Sequence, residues 1–142
     1  MNEVNSQGKG SLAWYKLADL IARKEREKAL SVFRLLSHSF PDKAFCLQIE
    51  GDILNALEDQ EAYEKYRQSA YLYAKERRWI SAAAIGEHLL AQHPENNELL
   101  TMVIDLYVLL DWEDKVTKKL DYLIECFKNQ KISQDQCNSL FL

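Results

Sequence analysis

Large apolar side chains recur at nearly equal intervals along the chain. Trp14, Leu47, Trp79 and Trp112 follow one another at spacings of 33, 32 and 33 residues, and they include all three tryptophans. Four positions after each stands a residue that is small in three cases of four: Ala18, Gly51, Ala83 and Val116. Residues four apart share one face of a helix, where a small one admits a neighbouring helix closely. A period near 34 in a helical chain predicts stacked helical hairpins.

Composition sets the class of protein within which such hairpins must fold. The 142 residues include only two prolines and four glycines, so long helices are expected. A net charge of −4 argues against nucleic acid, which normally requires a basic surface. No run of about 18 apolar residues is present, and Met1–Ser11 lacks the apolar core of a signal peptide. We therefore expect a cytoplasmic protein without a membrane span, with Cys46, Cys126 and Cys137 as free thiols.

Apolar residues at helical spacing predict eight helices with short connections. Residues 1–10 are polar and are predicted to form a disordered N-terminal tail, followed by one helical repeat domain over residues 11–142. Charged, polar and proline-containing stretches separate the helices. The predicted boundary residues are Ser11 for helix 1, Asp42 for helix 3, Gln60 and Glu76 for helix 4, Trp79 and His93 for helix 5, Asn96 for helix 6, Asp111 for helix 7, a turn at Lys128–Lys131, and a Ser133/Gln136 capping box for helix 8.

This pattern resembles the tetratricopeptide repeat over about residues 11–142. The first repeat matches at Trp14, Leu17, Ala18, Ile21, Ala29, Phe33, Leu36 and Pro41, and the second at Leu47, Gly51, Leu54, Ala62, Tyr66 and Ser69. The resemblance implies an all-α fold, a right-handed superhelix of about four degenerate helical hairpins. It also implies a non-catalytic module that binds a peptide or helix of a partner protein in a concave groove, without a cofactor.

A second register of the same repeat competes with the first. Tyr66, Ala70, Tyr73, Ala82, Gly86, Leu89 and Pro94 fit the same consensus, which makes helices 4 and 6 the opening helices. The tryptophan spacing favours the first register, in which helices 1, 3, 5 and 7 open the hairpins. The choice of register decides which helices line the groove.

In the first register six polar residues are predicted to line the groove. They are Tyr15, Asp19, Gln48, Asp52, Asn55 and Glu87. The family's two-carboxylate clamp uses Lys, Asn and Arg side chains, and its positions here carry Tyr15, Asp19, Ile49, Arg77 and Ser81. Only Arg77 agrees with the clamp, and Asp19 repels a carboxylate. We therefore predict that these positions do not bind acidic chaperone tails, and that the groove suits a basic or apolar peptide.

No recognisable chemistry competes with recognition as the function. The chain lacks metal, phosphate-loop and nucleophile motifs, and His88 and His93 are five residues apart, on different helix faces. We therefore expect no catalytic residue, no metal site and an adaptor or chaperone role. The alternative is a nucleic-acid-binding or enzymatic helical domain using the surface around Tyr71–Arg78. A homodimer through Leu140-Phe141-Leu142 is a further hypothesis, and its alternative is a last helix folded over Leu120 and Phe127.

Overall fold

The computed structural model describes the backbone of residues 2–129 and the side chains of residues 12–129. Within residues 2–129 the chain forms seven α-helices and no β-strand, so the predicted all-α class is confirmed. The helices are α1 (Asn2–Ala22), α2 (Arg26–Ser37), α3 (Lys43–Ala56), α4 (Glu61–Lys75), α5 (Trp79–Gln92), α6 (Asn97–Leu109) and α7 (Glu113–Asn129). The predicted eighth helix, its Ser133/Gln136 cap and Leu140-Phe141-Leu142 lie outside the described residues.

Two helices begin at boundary residues that the sequence predicts, and each of these residues caps its helix. The Asp42 carboxylate accepts a hydrogen bond from the Phe45 backbone N–H at 3.1 Å and starts α3. The Asn96 side chain accepts one from the Leu99 N–H at 3.1 Å and starts α6. Each bond satisfies a backbone donor that the first turn of a helix leaves unpaired. The prolines Pro41 and Pro94 precede these caps and separate each helix from the one before it.

Several helix boundaries differ from the prediction, and α7 begins at Glu113 and not at Asp111. Helix α1 begins at Asn2 and not near Ser11, so it runs through residues predicted to be a tail. Gly8 and Gly10 each lower helix propensity by about 1 kcal/mol, but no proline interrupts this segment. Helix α7 continues to Asn129, through the start of the turn predicted at Lys128. The division into a tail and one repeat domain stays a prediction.

Four helices end in the same left-handed turn. Lys24, Glu58, Arg77 and Asp111 have φ angles of 60°, 59°, 61° and 58°. After each of them, the next backbone N–H bonds to a carbonyl five residues earlier, as Glu25 does to Leu20 and Asp59 to Leu54. This is the Schellman C-cap, which satisfies the last carbonyls of a helix and reverses the chain sharply. Such turns join α1 to α2, α3 to α4, α4 to α5 and α6 to α7.

The chain divides into two compact units, Met1–Ile85 and Gly86–Leu142, and the boundary falls within α5. In the first unit α3 and α4 pack together most extensively, α1 packs on α2, and α2 contacts α3. In the second unit α6 packs on α7. The first core includes Leu17, Phe33, Ile53, Leu54, Tyr66 and Tyr73, and the second Leu89, Leu100, Val103, Leu106 and Tyr107.

Two glycines sit where helices approach closely. A Cβ atom on Gly51 of α3 would lie 2.8 Å from Cδ1 of the Tyr66 ring on α4. A Cβ atom on Gly86 of α5 would lie 2.6 Å from a methyl carbon of Val103 on α6. Real side chains do not approach so closely, so an added Cβ atom would force the neighbouring side chain to shift. The close approach that the sequence predicts at Gly51 is confirmed.

The tryptophans occupy different positions within their helices. Trp14 lies inside α1 and its ring centroid is 5.9 Å from that of Phe40. Trp79 is the first residue of α5, and Trp112 stands just before α7, stacked on Tyr107 at 5.8 Å. Trp14 and Trp112 are each 37% exposed. Equal spacing in the sequence thus does not give equal positions in the helices, and the repeat assignment stays a prediction.

Candidate binding surfaces

The polar face of α3 brings together three of the six predicted groove residues. Gln48, Asp52 and Asn55 stand four and three positions apart, so they share one side of the helix. We call these three residues the α3 stripe. Asp52 and Asn55 are exposed, and Gln48 is half-buried. The stripe therefore offers a carboxylate and two amides to solvent along about two turns of helix.

Tyrosine hydroxyls from α4 hold two side chains of the α3 stripe. The Tyr66 hydroxyl donates to the Asp52 carboxylate at 2.5 Å, and the Tyr73 hydroxyl donates to Oε1 of Gln48 at 2.9 Å. Both tyrosines are buried, at 3% and 2% exposure, so their rings belong to the core while their hydroxyls reach its edge. Burial, and then the hydrogen bond to Asp52 and its negative charge, raise the pKa of Tyr66 well above its usual value. The arrangement fixes the orientation of the Asp52 and Gln48 side chains.

Arg78 closes one end of the same α3–α4 face. Its guanidinium lies 4.3 Å from the centroid of the Tyr73 ring and donates to Oδ2 of Asp42 at 2.7 Å. Burial alone would raise the pKa of Asp42, but the hydrogen bonds from Arg78 and from the Phe45 N–H lower it overall. Asp42 thus caps α3 and pairs with Arg78. The sequence predicts the cap but not the pair, because 36 residues separate the partners.

The groove residues of α1 are exposed. Tyr15 is 76% exposed, and the Asp19 carboxylate pairs with Arg23 of the same helix at 3.0 Å. Tyr15 and Asp19 are four positions apart and share a face. An exposed i,i+4 ion pair contributes only about 0.3–0.5 kcal/mol, so Asp19 remains available to a partner.

Glu87, the sixth predicted groove residue, belongs to the second unit and is held by two neighbours. Its Oε1 atom accepts a hydrogen bond from the Tyr107 hydroxyl at 2.7 Å. The Lys119 ammonium lies 2.9 Å from Oε1 and 3.0 Å from Oε2. Burial, and then the bond to Glu87, raise the pKa of Tyr107 above its usual value. The half-buried carboxylate is thus an internal partner of α6 and α7 side chains.

A recess of about 360 Å³ opens beside this carboxylate. We call it the lysine recess, and it is lined by Glu87, Tyr107, Lys115, Lys118, Lys119 and Tyr122. A smaller cavity of about 180 Å³ shares Glu87, Lys119 and Tyr122, and its other walls are mostly apolar. The lysines and Tyr122 stand at helical spacing on α7, which is the one sign of this site in the sequence. The opposing wall comes from other helices, which the spacing does not predict.

The described part of the chain shows neither a metal-binding group of side chains nor a membrane-spanning helix. Among these residues no group of three His, Cys, Asp or Glu side chains is placed to hold a metal ion. None of the described helices combines the length and the apolar character needed to span a membrane. Cys46 and Cys126 are free thiols, and Cys137 lies outside the described residues.

Comparison of the chain with protein-family models, with curated proteins and with solved structures gives no match in any of the three. The fold that the structure defines is that of an all-α protein made of short-looped helices. Folds of this class host many functions, so these surfaces, and not the fold, indicate the function.

Proposed function

We propose that the chain is a non-catalytic protein–protein interaction module, an adaptor or chaperone-like scaffold of tetratricopeptide-like helical hairpins. In this proposal the hairpins stack into a right-handed superhelix and bind a peptide or helix of a partner protein. The exposed side chains of the predicted groove indicate the class of ligand.

The observation that carries the proposal is the spacing of the left-handed turns. Lys24 and Glu58 stand 34 residues apart, and so do Arg77 and Asp111. The same C-cap at the interval of a two-helix repeat supports a repeated hairpin. Stacked hairpins bury their apolar faces against one another and present long outer surfaces, which such proteins use for recognition.

The same turns account for the two competing registers. The turn at Glu58 joins α3 to α4, and the turn at Arg77 joins α4 to α5. Helix α4 therefore takes part in a tight turn at both of its ends. We infer that the first register describes the chain up to α4 and the second describes it from α4 onward. This change of register explains why each consensus fits only part of the sequence.

The exposed charges of the predicted groove favour a basic or apolar partner segment. Asp19 and Asp52 are exposed, and Asp52 is held in place by Tyr66. A preoriented carboxylate loses less conformational freedom on binding than a mobile one does. Lysine or arginine side chains of a partner are the complementary groups.

A peptide array followed by calorimetry tests the proposal. The labelled protein is applied to an array of basic, apolar and acidic peptides, and the peptides that bind are titrated in solution. The variant Asp19→Asn/Asp52→Asn removes two charges and keeps the hydrogen-bond acceptors, and we expect about tenfold weaker binding of basic peptides. The matched control is Asp105→Asn/Asp121→Asn, since both residues are exposed on α6 and α7. Equal binding by the two double variants would contradict the proposed groove.

The alternative surface around Tyr71–Arg78 receives less support. Tyr71 is 69% exposed, as a stacking platform requires. However, Arg78 is paired with Asp42 at 2.7 Å and with Glu76 at 3.4 Å, and its guanidinium also covers Tyr73. The two carboxylates reduce the positive charge that a phosphate backbone needs.

The predicted homodimer stays a prediction, because Leu140-Phe141-Leu142 lies outside the described residues. The alternative places the last helix over Leu120 and Phe127. Among the described residues these two side chains are 41% and 59% exposed. Ultracentrifugation of a chain that ends at Lys131 separates the two ideas. A halved mass supports the dimer, and an unchanged mass of a folded chain contradicts it.

A further inference from the structure

The lysine recess differs chemically from the α3 stripe. Three ammonium groups and one carboxylate line it, whereas the whole chain carries a net charge of −4. The charge of Lys119 is balanced by Glu87, because its ammonium group contacts both oxygens of the Glu87 carboxylate. The remaining excess of positive charge comes from Lys115 and Lys118, and within the described residues neither of them forms an ion pair.

Aromatic rings hold one of these two ammonium groups in place. The Lys115 ammonium lies 5.5 Å from the centroid of the Tyr107 ring and 5.7 Å from that of Trp112. Contact with aromatic faces attracts a cation without neutralising it. Lys118 stands three positions further along α7, so its side chain leaves the helix on a neighbouring side. The recess thus presents two positive charges, carried by side chains three positions apart on α7, beside the Tyr107 ring.

We propose that the lysine recess binds carboxylates of an acidic protein segment, with Lys115 and Lys118 as the charge partners. The recess holds a few side chains, since its volume is about 360 Å³. The adjoining cavity of about 180 Å³, walled by Leu90, Pro94 and Leu100, accepts an apolar side chain next to the acidic ones. The ligand is therefore a segment that combines aspartate or glutamate with a neighbouring apolar residue.

Charge favours this ligand over a nucleic acid. A polyanion extends beyond the recess and meets a molecule whose net charge is −4, so long-range repulsion opposes it. Glu87 lies in the wall itself and further disfavours a doubly charged phosphate. Single carboxylates match two separate ammonium groups without requiring a wide basic surface. The positions of the two-carboxylate clamp are different residues, so the prediction made for them is unaffected.

A fluorescent decapeptide of alternating glutamate and leucine tests the proposal, with the matching glutamine–leucine peptide as the uncharged probe. We expect the full chain to bind the glutamate peptide and not the glutamine peptide, with binding that weakens as salt rises. The variant Lys115→Gln/Lys118→Gln should bind about tenfold more weakly. The matched control Lys75→Gln/Lys128→Gln removes the same charge from exposed positions outside the recess, and its binding should be unchanged.

Equal loss in both double variants, or no binding of the glutamate peptide at low salt, overturns the proposal. So does a single-stranded oligonucleotide that binds more tightly than the peptide and depends on the same two lysines. The proposal rests on the proposed interaction role in taking a protein segment as the ligand. The groove proposal and the recess proposal can fail separately. Weaker binding of the array-selected basic peptides by Asp19→Asn/Asp52→Asn reports on the groove alone.

Discussion

At the scale of single residues, the same tyrosine–carboxylate hydrogen bond is found in both units among the described residues. A buried tyrosine ring places its hydroxyl on an acidic side chain of a neighbouring helix, Tyr66 on Asp52 and Tyr107 on Glu87. Each acidic residue directly follows a glycine at a close helix crossing, Gly51 or Gly86. The crossing brings the two helices close, and the hydrogen bond then fixes the polar side chain beside it.

Removal of one hydroxyl tests the contribution of this hydrogen bond. We expect Tyr66→Phe to lower the free energy of unfolding by about 1 kcal/mol, because the hydrogen bond to Asp52 is lost. The loss is no larger because the exposed Asp52 carboxylate regains water in its place. Urea unfolding followed by circular dichroism measures the change. The control Tyr15→Phe concerns an exposed tyrosine and should stay within about 0.5 kcal/mol of the parent chain. A Tyr66→Phe protein as stable as the control would show that the bond adds nothing.

The pair of Asp59 and Arg26 makes stability depend on pH. The backbone N–H of Glu61, and then the Arg26 guanidinium at 2.6 Å, lower the pKa of Asp59 below its ordinary 3.8. A lowered carboxyl pKa stabilises the fold above the ordinary value, and this stabilisation is lost as pH falls toward the lowered one. We expect the melting temperature of the parent chain to fall more steeply below about pH 4 than that of Asp59→Asn. Asp105→Asn should follow the parent, and a parent curve parallel to that of Asp59→Asn contradicts the assignment.

Burial on α4 was largely predictable from the sequence, but side-chain pairing was not. The helical spacing of Tyr63, Tyr66, Ala70 and Tyr73 predicts one core stripe on α4. Tyr66, Ala70 and Tyr73 are buried, and Tyr63 is half-buried. The hydroxyls of Tyr66 and Tyr73 bond to Asp52 and Gln48 on α3, which stand 14 and 25 residues away in the sequence. A periodic pattern fixes which side of a helix faces inward, whereas a partner depends on how two helices cross.

At the scale of elements, the sequence predicted the helix starts at which a capping side chain is present. Helices α3 and α6 begin directly after Asp42 and Asn96, as capping side chains dictate. The predicted start of α1 near Ser11 was wrong, because the low helix propensity of residues 2–10 disfavours a helix without forbidding one. The left-handed ends were not predictable, since Lys24, Glu58, Arg77 and Asp111 are not the glycines that this conformation prefers.

The close crossing of α3 and α4 predicts a steric penalty at Gly51. A Cβ atom there meets the buried Tyr66 ring at 2.8 Å, and overpacking costs about 1–3 kcal/mol. Better helix propensity returns about 1 kcal/mol, so we expect Gly51→Ala to destabilise by about 1 kcal/mol in urea unfolding. In a Tyr66→Leu background the same change should be neutral or stabilising, because the ring is gone. Equal destabilisation in both backgrounds would contradict the clash.

The left-handed turns predict sites where glycine stabilises. Glu58 has φ 59°, which costs a side-chain-bearing residue about 1 kcal/mol. We expect Glu58→Gly to raise the free energy of unfolding by about 0.5 kcal/mol, after the entropy of the freer unfolded chain is subtracted. Gln60→Gly is the matched control, since Gln60 has φ −65° and gains no relief. A stabilisation by the control equal to that of Glu58→Gly would contradict the strained turn.

At the scale of the whole molecule, the sequence predicts the class of fold more firmly than the site. A period near 34 predicts helical hairpins, and the turns at Lys24, Glu58, Arg77 and Asp111 keep that period in two offset pairs. The tryptophans at Trp14, Trp79 and Trp112 predict one register throughout, but their positions within the helices differ. Sequence spacing measures distance along the chain only, so it does not detect a change of register within a helix.

The six predicted groove residues divide between distinct surroundings. Gln48, Asp52 and Asn55 share the α3 stripe, whereas Glu87 belongs to the lysine recess of the second unit. The register placed them together because it assigns every opening helix to one wall. Within its own unit Glu87 is engaged by Lys119 and Tyr107.

Affinity purification with quantitative mass spectrometry tests the central claim most directly. The parent chain, Asp19→Asn/Asp52→Asn and the control Asp105→Asn/Asp121→Asn are used as baits at equal amounts. We predict that a defined set of proteins is retained by the parent and the control, and is depleted about tenfold with Asp19→Asn/Asp52→Asn while that variant stays folded. Retention of the same proteins by all three baits, or of nucleic acid alone, contradicts a protein-binding groove on these helices.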